Sequence, residues 1–228
     1  MERLLLKISG EALGNSPAVD FVKIRDIAEK IAELSKQYSI AIVVGAGNIF
    51  RGKNGLEGFD DLSDELGLDS TNINAKALKI GLKAQNINVV AMTSFFPINH
   101  VKKYDVDAAN CELKNNFVVI LGGGTGHVGC TTDTAAAEKA VELGCKYLIK
   151  LSNNIDGLYD DDPNKNKEAK KYERVTFQEA LDKKLEALDE EAFKICMKNN
   201  IPIIVINTSE LAKIPEILSG KKIGTLIF

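Results

Sequence analysis

Three glycine-bearing segments of the sequence are suited to binding phosphate groups. They are Ser9-Gly10, residues 45–47 and residues 122–126, and each follows an apolar run. A strand that runs through glycines into a helix N-terminus presents bare backbone N–H groups and the positive end of a helix dipole, which bind anions. In an open α/β sheet, such turns meet at the carboxyl ends of the strands. The spacing therefore predicts one site that holds several phosphates.

Charged and hydroxyl side chains accompany these glycines. Lys7 ends the first apolar run and places an ammonium beside Ser9-Gly10. Arg51 follows the second segment and offers a planar fork that matches a phosphate group. The third segment leads into Thr131, Thr132 and Asp133, residue types that favour a helix start. This combination suits phosphoryl transfer, in which a protein mainly positions groups and neutralises charge.

Other nucleotide-binding and catalytic motifs are incomplete. Residues 47–53 have the Walker A spacing, but Asn54 stands where Ser or Thr would hold Mg²⁺. Residues 124–129 read G-x-G-x-x-G, but the next strand ends in Ser152-Asn153 rather than in the acid that a dinucleotide site needs. A G-x-S-x-G motif is absent from the sequence, which contains two histidines. Dinucleotide binding and nucleophilic catalysis are therefore poorly supported.

The composition is that of an ordinary globular protein. The 228 residues are 45% hydrophobic and 27% charged. A net charge of −3 argues against a general nucleic-acid-binding surface, and no apolar run reaches the roughly 18–20 residues of a membrane helix. Four scattered cysteines and two histidines indicate neither a disulfide framework nor a zinc site. We expect a soluble, cytoplasmic protein without nucleic-acid or membrane partners.

Strand-like and helix-like segments alternate along the chain. Apolar runs predict strands at residues 3–8, 40–44, 88–92, 117–121, 147–151, 201–206 and 225–228. Residues 71–83 and 105–113 are predicted helices, and Asp189 is a predicted helix cap. Residues 60–70 are expected to precede the first of these helices, and the highly charged residues 164–174 are expected to form a mobile surface loop. Because the strands are continuously apolar, the pattern favours an α/β fold, a three-layer αβα sandwich with a central, mainly parallel sheet.

The motifs, taken in order, resemble those of the bacterial UMP kinases of the amino-acid kinase family. The series comprises residues 7–13 (KISGEAL), residues 45–52 (GAGNIFRG), Asp64-x-x-Gly67, residues 124–126 with 131–133, residues 156–159 with Asp162-Pro163, and residues 224–227 (GTLI). The resemblance extends nearly end to end. It implies a single amino-acid kinase domain over residues 1–228, with an acceptor-binding half at about 1–145 and an ATP-binding half at about 146–228.

The resemblance also implies an activity and its residues. The activity is transfer of the ATP γ-phosphoryl group to UMP, with Mg²⁺, giving UDP and ADP in pyrimidine nucleotide biosynthesis. The implied ATP-binding residues are Lys7, Ile8, Ser9, Gly10, Gly47, Arg51, Asn153, Tyr159 and Asp162. The implied UMP-binding residues are Gly45, Ala46, Asp64, Thr125, Gly126, His127, Thr131 and Thr132. The implied catalytic residues are Lys7, Arg51, Asp133 and Asp189, with the two aspartates orienting lysines. No residue is assigned to a protein metal site, and a homohexamer is expected.

Four departures from the family pattern leave alternatives open. Ala46 replaces a glycine, Ser63-Asp64-Glu65 replaces Gly-Asp-His, and residues 127–130 (HVGC) replace Asn-Pro-Phe-Phe. Ser152 stands where the family has a lysine, so either Lys150 takes the role of that lysine or no residue does. One alternative is another kinase of this fold, which phosphorylates a carboxylate, a carbamate or an isoprenoid phosphate. The other is a catalytically weakened, nucleotide-binding regulatory protein.

Overall fold

The main strands of the structure are buried along most of their length and form the sheet that positions the site. A computed structural model describes residues 1–15, 18–50, 55, 58–185 and 187–228. The strands in these residues are β1 (Arg3–Ile8), β2 (Ser39–Val44), β3 (Val89–Thr93), β4 (Lys102–Lys103), β5 (Val118–Gly122), β6 (Tyr147–Ser152), β7 (Leu158–Tyr159), β8 (Lys171–Tyr172), β9 (Arg174–Val175), β10 (Ile203–Asn207) and β11 (Thr225–Ile227).

Nine of these described strands form one sheet in the order β4–β3–β5–β2–β1–β6–β10–β11–β9. The pairs from β4 to β10 are parallel, whereas β11 runs antiparallel to β10. Strands β7 and β8 form a separate antiparallel pair. The predicted, mainly parallel sheet is confirmed, and it brings the turns after β1, β2 and β5 to one edge.

Helices cover both faces of the sheet. They are α1 (Gly10–Leu13), α2 (Phe21–Leu34), α3 (Asp60–Ala84), α4 (Val106–Lys114), α5 (Thr132–Glu142), α6 (Phe177–Asp182), α7 (Glu190–Lys198) and α8 (Ile214–Leu218), which follows a 3₁₀ helix at Thr208–Lys213. Successive residues of β1 show the alternation that a strand imposes. Leu5 packs in the cluster with α4, α5 and α7, whereas Leu4 and Leu6 pack in the cluster with α2 and α3. The result is the predicted three-layer αβα arrangement.

Two predicted boundaries are wrong. Helix α3 begins at Asp60 rather than at residue 71, so the acidic segment 60–70 is helical. Asp60 and Asp61 lie in its first turn, where the helix dipole favours negative charge. Gly67 lowers the helix propensity of the segment, but burial of Leu68 compensates for it. The segment 164–174, expected to be a surface loop throughout, ends in β8 and the start of β9.

None of the helices in the described part of the chain is both long and apolar enough to cross a membrane.

Candidate functional site

Two lysines on neighbouring strands share one carboxylate at the carboxyl edge of the sheet. Lys7 of β1 lies directly beside Lys150 of β6 in the strand register. Lys7 Nζ is 2.9 Å from Asp133 Oδ1, and Lys150 Nζ is 2.7 Å from Asp133 Oδ2. Lys150 Nζ also donates a hydrogen bond to the carbonyl oxygen of Ala187. The three charged groups carry a net charge of +1, which suits a site for phosphate oxygens.

The pKa values of this cluster reflect burial opposed by charge. Burial alone would raise the pKa of the Asp133 carboxyl, but Lys7 and Lys150 together hold that pKa below its usual value. Burial lowers the pKa of Lys150, as does the charge of Lys7, while Asp133 opposes the shift. Asp133 is therefore a firmly ionised carboxylate, whereas the proton of Lys150 is less tightly held than that of an ordinary lysine.

The N-termini of α5 and α7 are joined beside this cluster. Thr131 caps α5 and accepts hydrogen bonds from the backbone N–H groups of Asp133 and Thr134, both at 3.1 Å. Asp189 caps α7 and accepts from Ala192 N at 2.8 Å. The Asp189 carboxylate also accepts hydrogen bonds from the hydroxyls of Thr131 and Thr134, the latter at 3.0 Å. Two positive helix ends therefore point at the same region.

The turns that follow β1 and β2 are packed backbone against backbone. A Cβ atom on Gly10 would lie 2.4 Å from Gly47 N, and one on Gly45 would lie 3.2 Å from Gly10 N. Only a residue without a side chain permits this approach at position 10, because real Cβ atoms do not come so close to backbone nitrogen. The two turns thus form one surface at the edge of the sheet.

A cavity of about 450 Å³ lies beside the N-terminus of α5. Its lining residues are Ala46, Asp64, Gly67, Leu68, Thr71, His127, Val128, Gly129, Cys130, Thr131 and Thr132. Asp64 on α3 accepts a hydrogen bond from Gly129 N at 2.7 Å, which closes the wall between the helix and residues 127–130. We call this the acceptor cavity. The structure brings five of the sequence-predicted UMP residues together here: Ala46, Asp64, His127, Thr131 and Thr132.

A second cavity, also of about 450 Å³, lies beyond β7. It is lined by Ile155, Leu158, Tyr159, Asp160, Asp161, Asp162, Pro163, Lys165, Lys183, Lys184 and Leu185. Its apolar members suit a flat base, and its lysines suit phosphates. Tyr159 donates a hydrogen bond to Asp156 Oδ1 at 2.6 Å, and that bond raises the pKa of Tyr159 to about 12. We call this the donor cavity, and Tyr159 and Asp162 were both expected to bind ATP.

Lys150 contacts two residues that are close in sequence to the two cavities. Thr132, on the wall of the acceptor cavity, directly precedes Asp133. Leu185, on the wall of the donor cavity, lies two residues before Ala187, whose carbonyl binds Lys150. The ammonium of Lys150 therefore contacts Asp133 and Ala187, which lie within two residues, along the chain, of a lining residue of each cavity.

Several predicted residues lie elsewhere or act only through their backbone. Both backbone polar groups of Gly45 are used internally, since Gly45 N donates to Ile8 O and Gly45 O accepts from Asn74. The Ile8 side chain is fully buried in the core. Thr125 and Gly126 do not line the acceptor cavity. Asn153 does not line the donor cavity. Its Oδ1 accepts a hydrogen bond from the Thr208 hydroxyl at 2.7 Å. Arg51 falls outside the described residues.

The expectation that both aspartates orient lysines fits Asp133 but not Asp189. Within the parts of the chain that the structure describes, the hydrogen-bond partners of the Asp189 carboxylate are two threonine hydroxyls and a backbone N–H group. This is the geometry of a helix cap that also ties α7 to α5. Among these described contacts, Asp189 acts on Lys150 only through its charge, which partly opposes the lowering of that lysine's pKa by burial.

Some lining residues were missed from the sequence. Gly67, Leu68 and Thr71 follow Asp64 at the i+3, i+4 and i+7 positions, which share one face of a helix. That spacing would have pointed to them if α3 had been predicted to start at Asp60. Lys183 and Lys184, in the donor cavity, carried no recognisable motif.

The chain is similar to known proteins along nearly its whole length. The model of the amino acid kinase family matches residues 2–207. The chain belongs to the amino acid kinase family. A uridylate kinase of Pseudothermotoga lettingae is 36% identical, with coverage of 99% of this chain and 98% of that protein.

Solved structures of the same family are close in shape. The crystal structure of UMP kinase from Ureaplasma parvum has a TM-score of 0.91 at 34% identity, and covers 99% of this chain and 98% of its own. The UMP kinase of Bacillus anthracis has a TM-score of 0.92 at 29% identity, with coverage of 99% and 95%. Membership of the family implies ATP-dependent phosphoryl transfer, which usually requires a divalent metal.

The described side chains do not form a metal cage of their own. Across the described ranges, no three His, Cys, Asp or Glu side chains form a group that could hold a metal ion. Both oxygens of Asp133 are already engaged by lysines. Mg²⁺ in kinases is commonly held by substrate phosphates with one or two carboxylates.

Proposed function

We propose that this protein is a UMP kinase, which transfers the γ-phosphoryl group of ATP to UMP and releases UDP and ADP. The observation that carries the proposal is the pair of lysines on Asp133, a residue that directly follows Thr132 of the acceptor cavity. Each cavity has the volume of a small-molecule site. The uridylate kinase relatives, which cover nearly the whole chain, supply the identity of the two substrates.

In this mechanism UMP occupies the acceptor cavity and ATP occupies the donor cavity. An oxygen of the UMP phosphate attacks the γ-phosphorus, and the bond from that phosphorus to the β–γ bridging oxygen breaks. ADP leaves with the electron pair of that bond. Lys7 and Lys150 stabilise the negative charge on the transferring group, and the N-terminus of α5 stabilises the acceptor phosphate. Asp133 holds the two ammonium groups in place.

Mg²⁺ bound to ATP would neutralise charge on its phosphates. The base of ATP packs against the apolar residues of the donor cavity and Tyr159. Asp64, His127 and Thr131 supply polar groups toward UMP. Arg51, by family resemblance, adds a further positive charge toward the phosphates.

The position of Lys150 bears on the regulatory alternative. That reading depended on Ser152, which stands where the family has a lysine. Lys150 lies two residues earlier on β6 and places its ammonium on Asp133. A positive charge is therefore supplied to the site, and this favours an active enzyme over a binding protein that has lost its chemistry.

We also propose a cytoplasmic homohexamer. All four cysteines are free, as in a reducing compartment. Large apolar side chains are exposed along α3 and just before it: Phe59, Leu62, Leu66, Ile73 and Ile80, each between 47% and 61% exposed. We call these five side chains the apolar stripe. Such a surface on a long helix is suited to burial against a second copy of the chain. The number of six copies comes from the family resemblance.

An acceptor panel tests the proposed function. ADP release from ATP is measured with UMP, CMP, dCMP, AMP, glutamate and carbamate as acceptors. Turnover restricted to UMP is expected. Turnover on glutamate or carbamate would replace the proposal with another kinase of this fold. Binding of ATP without turnover on any acceptor would favour the regulatory reading.

A further inference from the structure

A buried amide pair joins helix α3 to the turn that follows β2. Asn48 and Asn74 are both 0% exposed. Asn74 Nδ2 donates to Asn48 Oδ1 at 2.7 Å, and Asn48 Nδ2 donates to Asn74 Oδ1 at 3.1 Å. Asn74 Nδ2 also donates to Gly45 O at 2.7 Å, and Asn48 Nδ2 donates to Ala18 O at 3.4 Å. Every amide hydrogen of the pair thus has an acceptor.

This amide pair lies directly beneath the packed glycine turns. Asn48 Oδ1 would be 2.5 Å from a Cβ atom on Gly10, and Gly47 N would be 2.4 Å from it. The turn of residues 45–48 is therefore held between Asn74 on one side and the turn after β1 on the other. It carries Ala46, which lines the acceptor cavity.

We infer that Asn74 is a positioning residue for phosphoryl transfer, which acts through Asn48 and Gly45 to hold the turn of residues 45–48. The inference rests on the proposed function. Asn74 does not line either cavity, so its effect on the reaction passes through the turn. The helix that carries Asn74 also carries Asp64 and Thr71 of the acceptor cavity. One helix therefore sets the distance between the two walls of that cavity.

The physical basis is that neither amide can be satisfied without the other. If Asn74 is truncated, Asn48 Oδ1, Asn48 Nδ2 and Gly45 O each lose a partner in a site closed to water. A buried polar group without a partner drives local rearrangement, because the cost of leaving it unpaired is large. The turn is expected to move or to fluctuate, and small displacements of a reacting group reduce rates strongly.

The kinetic test compares Asn74→Ala, Asn48→Ala and the double variant. Asn74→Ala is expected to lower kcat/KM for UMP by about 10- to 100-fold, while KM for ATP changes less than about twofold. The double variant should be no worse than the more damaged single variant, because two residues that act as one unit give non-additive losses. Additive losses, or an Asn74→Ala enzyme with unchanged kcat/KM, would overturn the inference.

Asn72→Ala is the matched control for burial. Asn72 lies on the same helix, is also 0% exposed, and donates from Nδ2 to Phe96 O at 3.3 Å rather than to the turn after β2. We expect Asn72→Ala to leave the protection of residues 45–50 unchanged, because it removes a buried amide that does not contact that turn. Equal loosening of that turn in both variants would mean that Asn74 has only a general structural role.

Hydrogen exchange provides a readout that does not depend on which acceptor is used. The backbone N–H groups of Gly45, Ile49 and Phe50 are hydrogen-bonded within and beside the turn. Asn74→Ala should reduce their protection factors by about tenfold or more, while Gly123 N, held by Thr71 Oγ1 at 2.6 Å, keeps its protection. Unchanged protection at residues 45–50 would contradict the inference even if UMP were not the substrate, whereas a wild-type chain inactive on UMP would contradict only the proposed function.

If Asn74→Ala does not fold, Asn74→Asp replaces it in the exchange experiment. An ionised carboxylate at this position would face two acceptors, Asn48 Oδ1 and Gly45 O, and could donate to neither. Protection of residues 45–50 should fall as pH rises and the carboxyl ionises. Protection that is independent of pH and equal to that of the wild type would overturn the inference.

Discussion

At the scale of single residues, the site depends on Asp133, whose two oxygens are occupied by two lysines. The carboxylate fixes the positions of both ammonium groups, so that neither must be ordered when a phosphate arrives. Preorganised charge of this kind is effective because it stabilises the transition state without reorganisation. Burial lowers the pKa of Lys150, so this ammonium loses its proton more readily than that of an ordinary lysine.

Removal of Lys7 should abolish most of the activity. We expect Lys7→Ala to lower kcat by on the order of 10²-fold or more, as for loss of a charge that stabilises the transition state. Lys139→Ala is the matched control, because Lys139 is also a buried lysine in an ion pair, but its partner is Glu142, at 2.9 Å, rather than Asp133. It should lower stability and leave kcat per folded molecule unchanged. Wild-type turnover in the Lys7 variant would rule out the mechanism.

The pH dependence of kcat should reveal Lys150. Because burial lowers the pKa of this lysine, its ammonium loses its proton at a lower pH than that of an ordinary lysine, whose pKa is 10.5. We expect kcat to fall on the alkaline side below that value. In Lys150→Arg, whose side chain stays charged, the alkaline limb should move to higher pH. A wild-type kcat that stays flat up to pH 10.5 would contradict a role for the charge of Lys150.

At the scale of secondary-structure elements, helix α3 contributes to the acceptor cavity, to the support of the turn after β2 and to an exposed apolar surface. Its length places Asp64, Leu68 and Thr71 on the acceptor cavity and Asn74 under the turn after β2. The same helix leaves an apolar stripe exposed. Two glycines lie within α3, Gly67 in open surroundings and Gly81 against Ile24. Substitutions at these two positions can therefore distinguish the effect of helix propensity from that of packing.

Two glycine substitutions on α3 should have opposite signs. A Cβ atom at Gly67 would meet nothing within 4 Å, so Gly67→Ala should raise the free energy of unfolding by about 0.5–1 kcal/mol through helix propensity. A Cβ atom at Gly81 would lie 2.5 Å from Ile24 Cγ2. Gly81→Ala should therefore lower the free energy of unfolding by about 1–3 kcal/mol through overpacking. Urea denaturation without nucleotide is the measurement. Equal shifts would show that packing does not distinguish the two positions.

At the scale of the whole molecule, the exposed stripe of α3 bears on assembly. Light scattering should give six times the 24.8 kDa mass of the chain if the hexamer forms. Ile73→Asp places a charge in the stripe and should lower that mass, because a charge buried without a partner destabilises an interface. Val22→Asp is the control, since Val22 is 79% exposed on α2, outside the stripe. An unchanged mass in the Ile73 variant would place the interface elsewhere.

Much of the architecture follows from local patterns in the chain. The strands at Arg3–Ile8 and Tyr147–Ser152 were predicted within one residue, since a continuous apolar run is a local signal. The start of α3 was missed because Gly67 and a cluster of acids lower local helix propensity. That deficit is made up by burial of Leu68, Thr71 and Asn72, which depends on the neighbouring strands.

The sequence by itself determined the alternating α/β order, the glycine turns at the strand ends and, by resemblance, the kinase family. These features are encoded in residues that are close together in the chain. Only the tertiary structure decided that Lys7, Asp133 and Lys150 form one cluster, that Asp189 serves as a cap bound by threonines, and that Asn74 pairs with Asn48. Each of these contacts depends on strand register and helix packing, which place residues far apart in sequence within hydrogen-bond distance.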